Sequence, residues 1–266
     1  MPDLKDVHHI LIGSHQYFAY AVNAEILRFN WPNGNDLWLT TVYNGDIDKI
    51  FSAGGENTFI KIDNNTGYAY GALDAINAGL DFANLGYRDI IVVTNFDCFF
   101  FSQEKYMKLI EDFSNSGKPF SAGYLLPHEV PMTDCMLFQK DFLKKILPIE
   151  PKVYEPRLDM KLLKDKYADT ELKFNNVEEW VLNSLYSAGS PAENWYPMQR
   201  DGEPRFRYTD CYGFGHLHEG TDVRTYMNMH NINRGNHVNV VLDPQQEDTI
   251  ANDQIRSTME RLKLNV

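Results

Sequence analysis

The chain is predicted to be an α/β protein built on a doubly wound, mostly parallel sheet, and three observations carry that prediction. Ile90 to Thr94 is a β-branched run without alternation, as expected of a strand buried on both faces of a parallel sheet. A long segment rich in small residues, near 68–85, precedes it at helical spacing, and a second helical stretch near 103–116 follows. Strand-like and helix-like segments also alternate through the first half, the pattern of wound α/β folds.

In chain order, residues 9–13 read as the first strand and 17–29 as a helix. Residues 37–43, 47–51 and 58–62 read as further strands, followed by the small-residue helix. Gly67, Gly71, Ala72, Ala75, Ala78 and Gly79 let that helix approach a sheet or a ligand closely. Residues 120–125 and 136–139 extend the sheet in a direction, parallel or antiparallel, that their pattern leaves open. Asn175-Asn176 cap a helix that stops at Ala188-Gly189. Asn-rich stretches at 30–35 and 228–239 read as loops. The organisation expected is a domain over 1–190 with an extension, 191–266, packed on it; apolar residues near 245–262 suit a closing helix or a homodimer contact.

With 266 residues, 43% of them hydrophobic, there is ample material for a large core. Twenty-five basic against 37 acidic residues give a net charge of -12, which disfavours nucleic acid and anionic lipid as partners. Cys98, Cys135 and Cys211 form no C-x-x-C, so neither a disulfide framework nor a thiolate zinc site is indicated, and a reducing cytoplasm fits. No signal peptide or membrane span is expected, leaving peripheral contact as the only membrane association.

Open α/β sheets bind ligands at the carboxyl edge of their strands. The polar residues there are therefore the candidate donor-binding set: Ser14 and His15, Tyr43 and Asn44, Asp63, and Asn95 with Asp97. Asp97 offers a hard oxygen to Mg2+ or Mn2+, and Asn95 a carbonyl oxygen. Asp97 and Asp63 read equally as turn residues.

Asn65, Gly67, Ala75, Asn77, Gly79, Ala83 and Gly86, followed by the strand 90–94 and Asn95-Phe96-Asp97, carry a resemblance. The segment resembles the centre of nucleotide-sugar glycosyltransferases of the GT-A fold, particularly the large inverting family 2, whose strand ends in D-x-D. Asn95 stands where that family has its first Asp, so one negative charge is missing. The resemblance implies a nucleotide-sugar donor, a glycan or glycoconjugate acceptor and a Mn2+ or Mg2+ ion held at Asp97 and Asn95. It implies Asp63 at the base and Gly71 or its neighbours near the donor. Thr133 to Leu143 is similar to the family's acceptor-wall element, with Asp134 and Cys135 in place of small residues. Counting back from Ala188-Gly189 puts the catalytic base at Glu178, with Glu179 one residue off. Relatives take a metal ligand from a C-terminal histidine; His216, His218, His230 and His237 are candidates, with His218 and His230 ranked first. Trp195, in an aromatic-rich tail, is a candidate for stacking on an acceptor sugar.

These readings give a metal-assisted, inverting glycosyltransferase. The alternatives are a retaining enzyme, a sugar-phosphate nucleotidyltransferase, and a noncatalytic glycan-binding or assembly protein on the same fold. Against the nucleotidyltransferase, the turn Gly13-Ser14-His15-Gln16 lacks the cationic content such enzymes place after their first strand.

Overall fold

A computed structural model describes residues 1–13, 20, 23, 24, 26–44, 56–64, 66–100, 102–125, 130–152, 177–198, 208, 209 and 214–216. β1 (Val7–Gly13) is buried along its full length and pairs in parallel with β2 (Trp38–Tyr43) on one side and β4 (Ile90–Asn95) on the other. β3 (Thr58–Lys61) continues in parallel beyond β2. Beyond β4 the direction reverses. β7 (Val130–Gln139) runs antiparallel to β4, β6 (Phe120–Leu125) antiparallel to β7, and β8 (Trp195–Pro197) parallel to β6. The seven-stranded order is β3-β2-β1-β4-β7-β6-β8. A second sheet of three short antiparallel strands starts just past β4, with β10 (Phe214–His216) between β5 (Cys98–Phe100) and β9 (Tyr208–Thr209).

Alternating side chains of the central strands feed two cores, as the pleat requires. Ile10, Ile12, Val42, Ile91 and Val93 meet α1 (Tyr68–Leu85), α3 (Lys140–Ile146) and α4 (Val177–Ser187) on one face. Val7, Leu11, Leu39 and Val92 meet α2 (Gln103–Ser116) and the segment around Leu27 and Trp31 on the other. This is the doubly wound arrangement expected. Gly79 explains how tightly α1 sits: a Cβ there would lie 2.6 Å from Ile10 Cγ2 and 3.3 Å from Val42 Cγ2, so only hydrogen fits between helix and sheet.

Two histidines on β1 occupy the core as neutral rings. His9 is bonded at both nitrogens, to the Tyr106 hydroxyl (3.0 Å) on α2 and to Thr94 Oγ1 (2.8 Å) on β4. Burial, reinforced by His8, pushes its pKa down to about 3. His8 Nε2 lies 2.7 Å from Thr40 Oγ1, and burial with the nearby Arg88 charge brings its pKa to about 4.

The structure lengthens two strands. β1 begins at Val7, and β7 begins at Val130, because pairing with its neighbours carries the strand through Pro131, Thr133 and Asp134. The strand expected over 47–51 and six residues of the helix expected over 17–29 lie outside the described residues; residues 20, 23 and 24 are helical and Ile26–Asn30 form a π-helical turn. No helix among the described residues is long and apolar enough to cross a membrane.

Candidate functional site

Main-chain hydrogen bonds one residue past each strand tie the carboxyl edge together. Asn44 N donates to Gly13 O (2.8 Å), Ile62 N to Tyr43 O (2.9 Å) and Phe96 N to Ile12 O (2.7 Å). The residues following β2, β3 and β4 are thus each tied to the end of a neighbouring strand before any side chain is considered.

Asn95, Phe96 and Asp97 form the end of β4 and a turn, all half-buried, from which the chain continues into β5. The turn is held from below by Asn23, whose side chain is 1% exposed. Its Nδ2 donates to Phe96 O (3.2 Å) and to Cys98 O (2.5 Å), the carbonyls on either side of Asp97. Asp97 Oδ1 lies 3.7 Å from Cys98 Sγ. Pairing of β5 with β10 sets His216 opposite Cys98, which brings the C-terminal part of the chain beside this turn.

The reversal at β7 delivers the second half of the site. Cys135 pairs with Thr94, so Asp134 and Thr133 continue along the same edge, beside Asn95 and Phe96. Here the pairing with β6 is irregular: β6 advances from Ala122 to Tyr124 while β7 goes from Met136 to Pro131, and such irregularities re-aim side chains. Thr133 Oγ1 donates to Glu178 Oε1 at 3.0 Å, joining β7 to the first turn of α4. Glu178 is half-buried whereas Glu179 is 2% exposed, so the two adjacent acids are sorted into one at the edge and one in the interior. Asp134, also buried, accepts a bond from Cys135 N (3.0 Å).

The edge therefore carries Asp97, Asp134 and Glu178 on three elements. Such carboxylates repel a diphosphate unless a cation stands between. Among the described residues no three His, Cys, Asp or Glu side chains are placed to hold one ion together. The oxygen donors Asp97 and Asn95 suit a hard divalent cation whose remaining positions go to phosphate and water oxygens.

Other expected site residues are placed elsewhere. Tyr43 is fully buried, its ring 5.6 Å from that of Tyr20; a Cβ on Gly13 would meet Tyr20 at 2.5 Å and Tyr43 at 3.1 Å, so these rings close the gap beside Gly13. Gly71 is buried in the first turns of α1, with its N–H bonded to Gly67 O and its carbonyl to Asn44 Nδ2 (2.5 Å), so both polar backbone groups are used inside the protein. Asn44 thereby ties β2 to α1, and its Oδ1 finds no partner. Asp63 is exposed in the bend after β3. Cys135 is buried in the core shared with α2. Trp195 pairs with Phe120 at the opposite, amino edge, packs edge-on against Phe120 and Tyr186, and donates Nε1–H to Ser190 O (2.9 Å), so it sits in the core. Ser14, His15, His218 and His230 lie outside the described residues. A cleft of about 520 Å³ also lies at the amino edge, among Asp6, Asp89, Gln139 and Lys140, and none of the carboxyl-edge residues lines it. Asn23 and Thr133 were not anticipated as parts of the site.

No family model matches the chain and no curated protein matches it. Among solved structures it is similar to the mannosyltransferase PcManGT from Pyrobaculum calidifontis in complex with GDP-Man and Mn2+ (13% identity, 57% of this chain and 50% of that one, TM-score 0.43). It is similar also to S. aureus TarS 1-349 (10% identity, 96% and 71%, TM-score 0.45). A third is a Bacillus anthracis protein described as a glucose-1-phosphate thymidylyltransferase, in complex with a sucrose (11% identity, 73% and 87%, TM-score 0.38). The chain spans half the length of the mannosyltransferase. These likenesses are distant, and no substrate or metal is carried over from them. The fold class expected from the sequence, an α/β fold with a mostly parallel sheet and helices on both faces, is the one observed.

Proposed function

We propose that this chain is a nucleotide-sugar transferase that moves a sugar from a nucleoside-diphosphate donor to a hydroxyl of a glycan acceptor. The observation that carries the reading is the convergence, on one carboxyl edge, of the Asn95-Phe96-Asp97 turn with the Thr133-anchored Glu178. The first is suited to a diphosphate and its cation, the second to a proton.

In this reading Asp97 and Asn95 hold Mg2+ or Mn2+ against the donor. The ion, when bound, supplies Lewis-acid stabilisation of charge on the departing diphosphate. Asp63 and Asn44 flank the same edge on the nucleoside side. Glu178 accepts the proton of the acceptor hydroxyl; Thr133 fixes Oε1, which orients the carboxylate as general-base geometry demands. Attack from the face opposite the diphosphate gives inversion at the anomeric carbon. In the same reading Asp134, next to Thr133 in the chain, is the residue assigned to orient the acceptor. His218 and His230, with His216, remain the histidines of the C-terminal extension proposed for the cation; β10 pairs His216 with Cys98.

The test is calorimetric titration with UDP, GDP, CDP and dTDP, each with and without Mn2+, followed by their sugar conjugates. Binding of one diphosphate strengthened by Mn2+, with slow donor hydrolysis, is expected. Glycan binding without any nucleotide affinity would replace the enzyme reading by that of a noncatalytic binding protein.

A further inference from the structure

Among the described residues of the segment after β1, Asn23 reaches the turn after β4 with its side-chain amide. Asn23 lies among Tyr20, Ala24, Leu27 and Phe99, all in the same core. Its Oδ1 finds no partner, a loss on the order of 1–3 kcal/mol for a buried acceptor. An apolar side chain of similar volume would avoid that loss. What the amide provides is two N–H donors 2.5 and 3.2 Å from the Cys98 and Phe96 carbonyls.

Those carbonyls bracket Asp97. With both tied to one planar NH₂ group, the peptide that leads into Asp97 and the one that follows Cys98 are held to the same point, which closes the turn around Asp97 and restricts the direction in which its Cα–Cβ bond leaves the chain. The third tie at the turn is the Phe96 N–H bond to Ile12 O, which anchors the turn to β1.

We propose that Asn23 is the positioning residue for Asp97: it locks the Phe96-Asp97-Cys98 turn so that the carboxylate is preorganised for a divalent cation and diphosphate. The proposal rests on the reading of Asp97 given above, and it deepens that reading by assigning a residue on a different element, 73 to 75 positions away from its partners, to the same task.

Two measurements test it. The first is hydrogen–deuterium exchange of the protein without ligand, comparing wild type with Asn23→Leu and the milder Asn23→Ser, which keeps one hydroxyl donor. Exchange in the peptide carrying Phe96 to Cys98 is expected to quicken at least tenfold in Asn23→Leu and less in Asn23→Ser, with β1 and α2 unchanged. Unaltered exchange in a folded variant overturns the proposal whatever the chain's activity; if Asn23→Leu does not fold, Asn23→Ser decides by the same criterion. The second is Mn2+ affinity in the presence of UDP and of GDP for wild type, Asp97→Ala, Asn23→Leu and the double variant. At least tenfold weakening by Asn23→Leu is expected, with none added on top of Asp97→Ala, because both changes remove one interaction. Additive losses would mean that Asn23 acts elsewhere. Faster exchange in Asn23→Leu, combined with a wild type that binds no Mn2+ with either diphosphate, would leave the lock standing and remove the functional reading instead.

Discussion

Acidification should unfold this protein through the two histidines of β1, and the effect can be sized. In the folded chain His9 has a pKa of about 3 and His8 of about 4, against an ordinary value of 6.5, chiefly because both rings are buried. The unfolded chain therefore binds protons that the folded chain refuses. Both groups contribute their full stability above about pH 6.5, and it is lost as pH falls from there toward 4 and 3. Proton linkage puts the loss between pH 7 and pH 5 at about 2 kcal/mol for each ring, a substantial part of the roughly 5–15 kcal/mol that holds most domains folded. Carboxylates titrate mainly below this window. The assay is urea denaturation at pH 7, 6 and 5 on wild type and His9→Gln, whose amide can still donate to and accept from Thr94 and Tyr106 but does not titrate. The variant should be less stable at pH 7, yet lose about 2 kcal/mol less than wild type on going to pH 5. Equal losses in the two proteins would show that His9 is not a buried neutral ring between Thr94 and Tyr106.

Substitutions at four other positions probe the site and its frame. Asp97→Ala should weaken Mn2+-dependent diphosphate binding at least tenfold by calorimetry, while Glu178→Gln should leave binding intact and lower kcat by about a hundredfold or more, since a general base contributes to the chemical step. Thr133→Val should move the acidic limb of the kcat/KM profile upward by about one pH unit, because a hydrogen bond to a carboxylate favours its charged form; Thr133→Ser should restore the limb. Gly79→Ala forces a methyl to within 2.6 Å of Ile10 Cγ2, the stiff branch of a strand isoleucine. Overpacking of about 1–3 kcal/mol should outweigh the roughly 1 kcal/mol gain in helix propensity, lowering the urea midpoint.

What could be read in the sequence was what is written locally. The helix predicted over 103–116 is found as Gln103–Ser116, because Ser102 caps it by accepting the Lys105 N–H and Gly117 ends it in the left-handed conformation. The buried strand and the turn carrying Asp97 were equally legible, since a β-branched run ending in polar residues has few other uses. Trp195 was not: an aromatic ring in a polar tail looks the same in sequence whether it faces solvent or, as here, fills the space between Phe120 and Tyr186. Asn23 and Thr133 carried no signal because their partners are 73, 75 and 45 residues distant, and only the folded topology pairs them.

The direction of β7 decides whether the two halves of the site can serve one reaction. Were β7 parallel to β4, Thr133 and with it Glu178 would lie at the amino edge, roughly 20 Å from Asp97 across a six-residue strand at about 3.3 Å per residue. The connections exclude that arrangement. From β4 the chain reaches β6 through α2, the crossover that parallel strands require, so β6 points the same way as β4. Only residues 126–129 then separate β6 from β7, enough for a hairpin and far too few for a second crossover. β7 must therefore return antiparallel, and by entering between β4 and β6 it places its first residues against the end of β4. The short connection that results from β7 starting at Val130, rather than at 136 as the sequence pattern suggested, thus determines that the carboxylate proposed to take a proton stands on the same edge as the one proposed to hold the cation.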